Sequence, residues 1–550
     1  MSKSRHNRLA LTLTASITSL SLVTGVTPAI AQEDAPSNHV EIPGVTDTKG
    51  VQNVVLGIGA DETQANVSWL TETGVTGQVL QFAKSEGTTA ENIAETGTTV
   101  EAASENADIY VSFEYDGTET APFSSHKAVV EGLESNTDYV YRVGSEETGW
   151  SELKTFSTES FDDNWNFLAV GDPQIGSGGN LAGEGSSEDR AAADAEAWAK
   201  NMEQLVNELP DSSYILSGGD QTNKSNKQEH NGFTSADAIQ SYRFAPNNGN
   251  HDEVDFSSYT AFYNRPNMSE DGRNYFYEYN NSLVISLDSN HWWDYANDKQ
   301  FVRDAIAQAG SDKDWIIVTF HHALFSQAYH QEDTSVMAMR DEMTRFYSEM
   351  GVDLVVSGHD HIHTRSHLME GNTPVESEAE NKVGEVLHPE EGQVQYLTLN
   401  SASGSKFYNF YDPAVGDRAD DYTFEQSKAD NTLRYWTALW DQNFSPDWTN
   451  IEVTADSLKV TTKDFNGDLV DEFTLVKKDD SDSSSDDTSS DDTSSDDSPS
   501  SGGDTMSSAG SWWTPLLLLA AFLGGAVFNQ FSDFKIPNFF KKPAKKTSRR

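Results

Sequence analysis

The chain contains no cysteine among its 550 residues. That excludes disulfides, thiolate metal sites and cysteine nucleophiles, so no covalent cross-link between side-chain thiols stabilises the fold. Basic residues are scarce, 37 Lys and Arg against 88 Asp and Glu, for a formal net charge of −51. Such an excess repels backbone phosphates, and no nucleic acid is expected as a partner. Long apolar runs are missing from the interior and occur only near the two ends. Helical periodicity is absent from most of the stretch between Val54 and Thr158. No Leu-Pro-x-Thr-Gly precedes the C-terminal apolar run, which argues against covalent attachment to a cell wall.

The ends carry their own signals. Lys3, Arg5 and Arg8 precede the apolar run Leu9–Val26, and Ala29-Ile30-Ala31 offers a cleavage site. Residues 1–31 read as a signal peptide and 32–50 as an unstructured leader. At the other end, residues 479–510 form an Asp/Ser tract with a five-residue repeat beginning at Ser484. It holds nothing to bury and reads as a disordered, self-repelling spacer. Residues 511–531 contain the apolar run Trp512–Phe528, at the short end of what spans a bilayer. The tail 532–550 carries Lys535, Lys541, Lys542, Lys545, Lys546, Arg549 and Arg550, and charge bias places it in the cytoplasm. The pattern resembles the surface anchors of Gram-positive bacteria. It predicts a protein on the extracellular face of the cell membrane, held by a C-terminal helix.

Between the ends, two textures alternate with two kinds of fold. Residues 51–158 show short runs of strand-like alternation, including Asn66–Trp69, Lys127–Val130 and Tyr139–Val143, with one short helical segment at Thr89–Ala94. They predict an all-β sandwich of fibronectin-III type. Its simplest role is a packing scaffold; glycan or wall binding is the alternative. Residues 159–478 alternate strands with helices predicted at Glu188–Leu209, Asp298–Ala309 and Ser335–Met350. A strand is predicted at Thr432–Trp440, and two or three more over Ile451–Val476 with a turn at Asn466-Gly467.

Five short motifs carry the chemistry. They are Gly171-Asp172-Pro173-Gln174, Gly219-Asp220-Gln221-Thr222-Asn223, Gly249-Asn250-His251-Asp252, Phe320-His321-His322 and Gly358-His359-Asp360-His361. Four follow predicted buried strands at Trp165–Val170, Tyr214–Ser217, Trp315–Thr319 and Val352–Ser357. Open α/β sheets bind ligands beyond the carboxyl ends of their strands, so the motifs converge on one sheet edge. Residues 251–367 hold nine of the fourteen histidines. Two carboxylates, an amide and several imidazoles can hold two divalent ions side by side, an arrangement suited to phosphoryl transfer. His363 and His367 lie beyond the last motif and read as ordinary packing or surface histidines.

In this order, the five motifs resemble those of the calcineurin-like metallophosphoesterase superfamily. The β-rich front domain, with Val67-Ser68-Trp69, Leu133, Tyr139–Val143 and Trp150-Ser151, resembles that of the purple acid phosphatases. The resemblance implies a four-layer αββα catalytic domain and two divalent or mixed-valence metal ions drawn from Fe, Mn or Zn. It implies that Asp220 bridges them, that Asp172 and His361 hold the first, and that Asn250, His321 and His359 hold the second. Gln174 stands where much of the superfamily has a second histidine on the first metal, and an amide oxygen is a weaker ligand for a transition ion. Asn223 stands where purple acid phosphatases have a metal-bound tyrosine; without that phenolate no purple colour is expected. The implied reaction is hydrolysis of phosphomonoesters by a metal-bridging hydroxide. His251 would protonate the leaving oxygen, and His322 and His330 would bind phosphate oxygens. A phosphodiesterase acting on cyclic nucleotides or wall polymers, and a surface adhesin with a decayed site, are the alternative readings.

Overall fold

The computed structural model describes residues 50–113, 119–375 and 382–477. The segments predicted as signal peptide, leader (but for residue 50) and Asp/Ser spacer, with the apolar C-terminal run and the basic tail, lie outside them. Among the described residues, no helix is long and apolar enough to cross a membrane.

Two sheets stack face to face in the catalytic region. In the first, Trp165–Val170 pairs in parallel with Tyr214–Ser217, which pairs in parallel with Arg243–Ala245. In the second, Ser282–Ser286, Trp315–His322, Leu354–Gly358 and Gln395–Thr398 run parallel in that spatial order. The space between the sheets is filled by side chains from both, including Trp165, Phe167, Tyr214, Tyr277, Trp315, Ile317, Leu354 and Ile451. Strands buried on two faces carry apolar residues almost continuously, which is why these runs stand out in the sequence.

Helices cover both outer faces. Ser187–Glu208 lies on the first sheet and buries Ala191, Ala195, Trp198, Met202 and Leu205. Ser186 and Asp189 close a capping box at its start. Tyr295–Ala309 and Thr334–Met350 cover the second sheet through Val302, Val336, Met339, Met343 and Phe346. The resulting order of layers is αββα.

Residues 51–158 form a separate two-sheet sandwich around Val67, Trp69, Leu80, Tyr141 and Phe156. It is not a bead on a string. Gln52–Ile58 pairs in parallel with Arg243–Ala245, at Gly57 and Phe244, so one 11-stranded sheet runs through both regions. Ser68 and Ser125 donate to the carbonyls of Phe262 and Ala261, and the Tyr141 hydroxyl donates to Gln240. Val55, Leu70 and Ile109 of the sandwich join the helix-facing core of the catalytic region.

Several predicted boundaries move. The short front helix is Ile93–Thr96, not Thr89–Ala94. The strand predicted at Thr432–Trp440 is only Thr437–Asp441, preceded by the helix Phe424–Asp430, whose capping box at Thr423 and Gln426 went unread. The strand predicted to end at Thr319 continues to His322, and Val352–Ser357 becomes Leu354–Gly358. The C-terminal region forms an antiparallel meander of three strands, Asp447–Val453, Ser457–Asp464 and Leu469–Val476, the first of which pairs antiparallel with Trp165–Val170.

Candidate metal centre

All five motifs meet at the carboxyl ends of their strands. Asp172 follows Trp165–Val170, Asp220 follows Tyr214–Ser217, and Asn250 follows Arg243–Ala245. His359 and His361 follow Leu354–Gly358. His321 and His322 lie inside a strand, where successive side chains ordinarily point to opposite faces. The register against Leu354–Gly358 shifts between Thr319 and His322. Irregularities of this kind re-aim side chains next to active sites. Both imidazoles consequently face His359, with ring centroids at 4.9 and 4.4 Å.

The loops are held in strained backbone. Asp172, Gln174, Asp220, His359 and His361 all have φ between 36° and 72°. Each non-glycine residue held in such a conformation costs of order 1–3 kcal/mol, and the surrounding structure must impose it. Cross-links between motifs do so here. The Asp172 carboxylate accepts the backbone N–H of His359 at 3.0 Å, and Asp220 Oδ1 accepts that of His251 at 2.9 Å. Ser401 and Ser403 hydroxyls donate to the carbonyls of Asp172 and Pro173. Two glycines permit the close approach. A Cβ on Gly249 would meet Asp220 Oδ1 at 2.0 Å, and one on Gly358 would meet Asp172 Oδ2 at 2.3 Å.

One half of the centre gathers around His321 Nε2. Asn250 Oδ1 lies 3.1 Å away, His359 Nδ1 3.2 Å and Asp220 Oδ2 3.3 Å. His321 Nδ1 donates to the Gly218 carbonyl at 2.8 Å, which leaves Nε2 of the neutral ring as an acceptor. An acceptor nitrogen facing two acceptor oxygens requires a cation between them, either a proton or a metal ion. Burial alone would lower the His321 pKa, but the neighbouring Asp220 outweighs it and raises it to about 10. Burial also acts on Asp220, yet His321 and His251 hold that carboxyl well below its usual range.

The other half is built from Asp172, Asp220 and His361, whose ligand atoms lie within 4.8 Å of one another. His361 Nε2 is 3.6 Å from Asp172 Oδ1, and its Nδ1 donates to the Lys406 carbonyl at 2.9 Å. Burial pushes the Asp172 pKa well above the usual carboxylate value. Gln174 lies here too. Its amide nitrogen donates to Asn223 Oδ1, while its buried Oε1 has no hydrogen-bond partner. A buried carbonyl oxygen left without a donor is costly, and a cation would satisfy it. The residues therefore fit two metal ions, with Asp220 common to both halves.

Three further imidazoles rim this cluster. His251 Nδ1 donates to the Asn223 carbonyl at 2.7 Å, and its Nε2 lies 4.0 Å from Asp220 Oδ2. His322 Nδ1 lies 2.8 Å from the Ser289 hydroxyl; burial and then His321 lower its pKa to about 3, so it is neutral. His330 pairs through Nδ1 with Asp333 at 2.7 Å, and its ring lies 4.2 Å from that of His359. Every residue singled out from sequence is thus in one place. His363 stands apart, buried against Asp471 in an ion-pair group with Arg365.

Other contributors have roles that sequence did not show. Asp252 touches no ligand atom; its carboxylate accepts the backbone N–H groups of Gly249, Gln221 and Thr222, pinning the second motif to the third. Ser289, Ser401, Ser403, Lys406 and Tyr408 come from loops without a motif. Only their place in the fold reveals them.

Residues 51–158 match the family model of the purple acid phosphatase N-terminal domain, and residues 166–363 match that of the calcineurin-like phosphoesterases. A purple acid phosphatase from yellow lupin (Lupinus luteus) seeds shares the fold, with a TM-score of 0.59 at 13% identity over 78% of this chain and 75% of that one. GAP50, described as the anchor in the inner membrane complex of Plasmodium, overlaps 58% of this chain and 90% of its own, at 12% identity and a TM-score of 0.37. No curated protein matches the chain. The chain thus joins a purple acid phosphatase N-terminal domain to a calcineurin-like phosphoesterase domain: it is a purple acid phosphatase-like metallophosphoesterase, a hydrolase.

Proposed function

We propose that the protein is an exported, surface-anchored phosphatase that hydrolyses phosphomonoesters at a dinuclear metal site. The observation that carries the reading is the set of acceptor atoms around His321 Nε2, with the unpartnered Gln174 Oε1 in the adjoining half. Asp172, Gln174, Asp220 and His361 would hold one ion, and Asp220, Asn250, His321 and His359 the other. Bound metal would supply a water of lowered pKa and neutralise charge on phosphoryl oxygens.

The chain's own residues do the rest. His251, oriented by the Asn223 carbonyl, presents Nε2 to the site and hands a proton to the leaving oxygen. Neutral His322 can accept from the Ser289 hydroxyl at Nδ1, which leaves Nε2–H free to donate to a phosphoryl oxygen. His330, held by Asp333, serves as a second donor. A doubly charged monoester offers oxygens enough for all three.

Export and anchoring rest on the sequence pattern at the two ends: the basic and apolar start with its Ala29-Ile30-Ala31 site, and the apolar run Trp512–Phe528 followed by basic residues. One experiment tests the catalytic reading. Metal content of the purified protein is measured together with hydrolysis of a monoester and a diester. Two metal equivalents and preferential monoester hydrolysis are expected. Preferential diester cleavage would replace the substrate assignment, and a metal-free inert protein would overturn the enzyme.

A further inference from the structure

Lys406 has an unusual position for this chain. Most lysines that hold a fixed geometry pair with carboxylates, as Lys84 does with Glu134, Lys127 with Glu105 and Lys299 with Glu342. In a chain of net charge −51 such partners are abundant. Lys406 is half-buried beside the metal centre, yet among the described residues its ammonium makes neither an ion pair nor a hydrogen bond. Its one close partner is the face of Tyr408, 4.6 Å from Nζ to the ring centroid. That ring is 5.1 Å from His361 and 5.3 Å from His330, so the ammonium lies along the same wall as a metal-ligand candidate and a phosphate-donor candidate. Its charge acts on Asp220 and Asp172. The Lys406 backbone already belongs to the site, because its carbonyl fixes His361 Nδ1.

The charge balance decides what such a lysine is for. Two carboxylates alone would attract it. Two divalent cations on those carboxylates reverse the local sign, and a further buried cation is then repelled unless an anion joins it. The Tyr408 face offsets little of that, since a cation–π contact is weak beside the repulsion of two nearby divalent ions. We infer that Lys406 is an anion-binding residue of the active site, taking a phosphoryl oxygen of the substrate on the Tyr408 side of the cleft. The inference rests on the phosphatase reading and deepens it. The shared chemistry is a phosphate oxygen, whether on the reacting phosphoryl or on a second phosphoryl attached to it.

The test is calorimetric binding of inorganic phosphate and of pyrophosphate to the full-length, metal-loaded protein, wild type against Lys406→Met. Loss of one charge-assisted hydrogen bond weakens an anion by roughly 10-fold or more. Weakening of both anions places Lys406 on the reacting phosphoryl; weakening of pyrophosphate alone places it on the second. Lys406→Arg should restore most of the affinity, and metal content should stay at the wild-type value because the backbone carbonyl behind His361 is untouched. Lys406→Gln, nearer in polarity, serves if the methionine variant does not fold. Unchanged affinity for both anions in a folded, metal-replete variant would overturn the inference. Failure of the wild type to bind either anion would instead overturn the phosphatase reading, a result visible before any variant is made.

Discussion

The two halves of the centre share Asp220 and differ in how completely they are assembled. Around His321 Nε2, three ligand atoms sit at 3.1–3.3 Å, from an amide, an imidazole and a carboxylate. Around Asp172, the nearest imidazole nitrogen is at 3.6 Å, and the fourth donor we propose there is the amide oxygen of Gln174, which is buried and unpartnered. Spacings near 3.2 Å are those of donors around one small cation at about 2.0–2.2 Å. The His321 half is therefore close to its loaded geometry, while the Asp172 half still has to contract. Ligand chemistry points the same way: beside one amide and the shared carboxylate, two imidazoles serve the first half and one imidazole with Asp172 the second, and imidazole suits transition ions. The ion held by Asp172, Gln174 and His361 should therefore leave first.

Removing what the halves share should have the largest effect. Asp220→Asn keeps the shape but loses the anionic oxygen that serves both. We expect at least one metal equivalent and nearly all turnover to go, by metal analysis and monoester hydrolysis. Retention of both ions with full activity would break the comparison at its root.

His251→Ala should separate chemistry from assembly. His251 touches Asp220 through its backbone N–H, and its side chain leans on Asn223 rather than on the ligand set. Both ions should remain, and turnover should fall by ~10²–10⁴. The loss should shrink for esters with good leaving groups such as nitrophenol. Equal losses for good and poor leaving groups would remove the general-acid role.

A smaller effect should come from Asp252→Ala, which acts mainly on the His321 half, the half that contains Asn250. Asp252 anchors the backbone of Gly249, next to Asn250, and of Gln221 and Thr222, next to Asp220. Partners that orient a ligand without touching the metal are typically worth about 10–100-fold in affinity. The ion of the His321 half should weaken by that amount in a chelator titration, and the order of metal release should narrow or reverse. An unchanged order of release would show that the Asp252 anchor does not set the difference.

How far sequence carried this picture depends on how local the cause was. The buried strands and the five motifs were legible because a doubly covered strand must be apolar and a ligand must follow its carboxyl end. The shift at Thr319–His322 was not, because it is a matter of register against Leu354–Gly358, and the strand was ended three residues early. The helix Phe424–Asp430 is only seven residues long and too short to show a helical period, so its capping box is the one local signal it carries. Asp252 could be seen inside its motif, but its work is done on backbone N–H groups that no pattern reports. Lys406 and Tyr408 belong to a loop whose place comes from the packing of the second sheet. The pairing of Gly57 with Phe244, which fuses the front domain to the catalytic sheet, was equally invisible.

The smallest expected effect is the sharpest test of the difference between the halves. Gln174→His replaces the amide oxygen by an imidazole nitrogen at the half argued to be incomplete. Gln174 Oε1 is buried and unpartnered, so a cation beside it would satisfy an oxygen that lacks a donor. Its amide nitrogen donates to Asn223 at 3.3 Å, a bond that the imidazole can replace only in part. The backbone at this position has φ of 40°, a region histidine tolerates better than most residues. An imidazole suits transition ions better than an amide, so the first ion to leave should leave later. Turnover should change little where metal is saturating, and the gain should show as slower inactivation by chelator. Equal chelator sensitivity in the two proteins would mean that Gln174 does not complete the Asp172 half. The asymmetry would then have to come from the Asp172–His361 spacing alone.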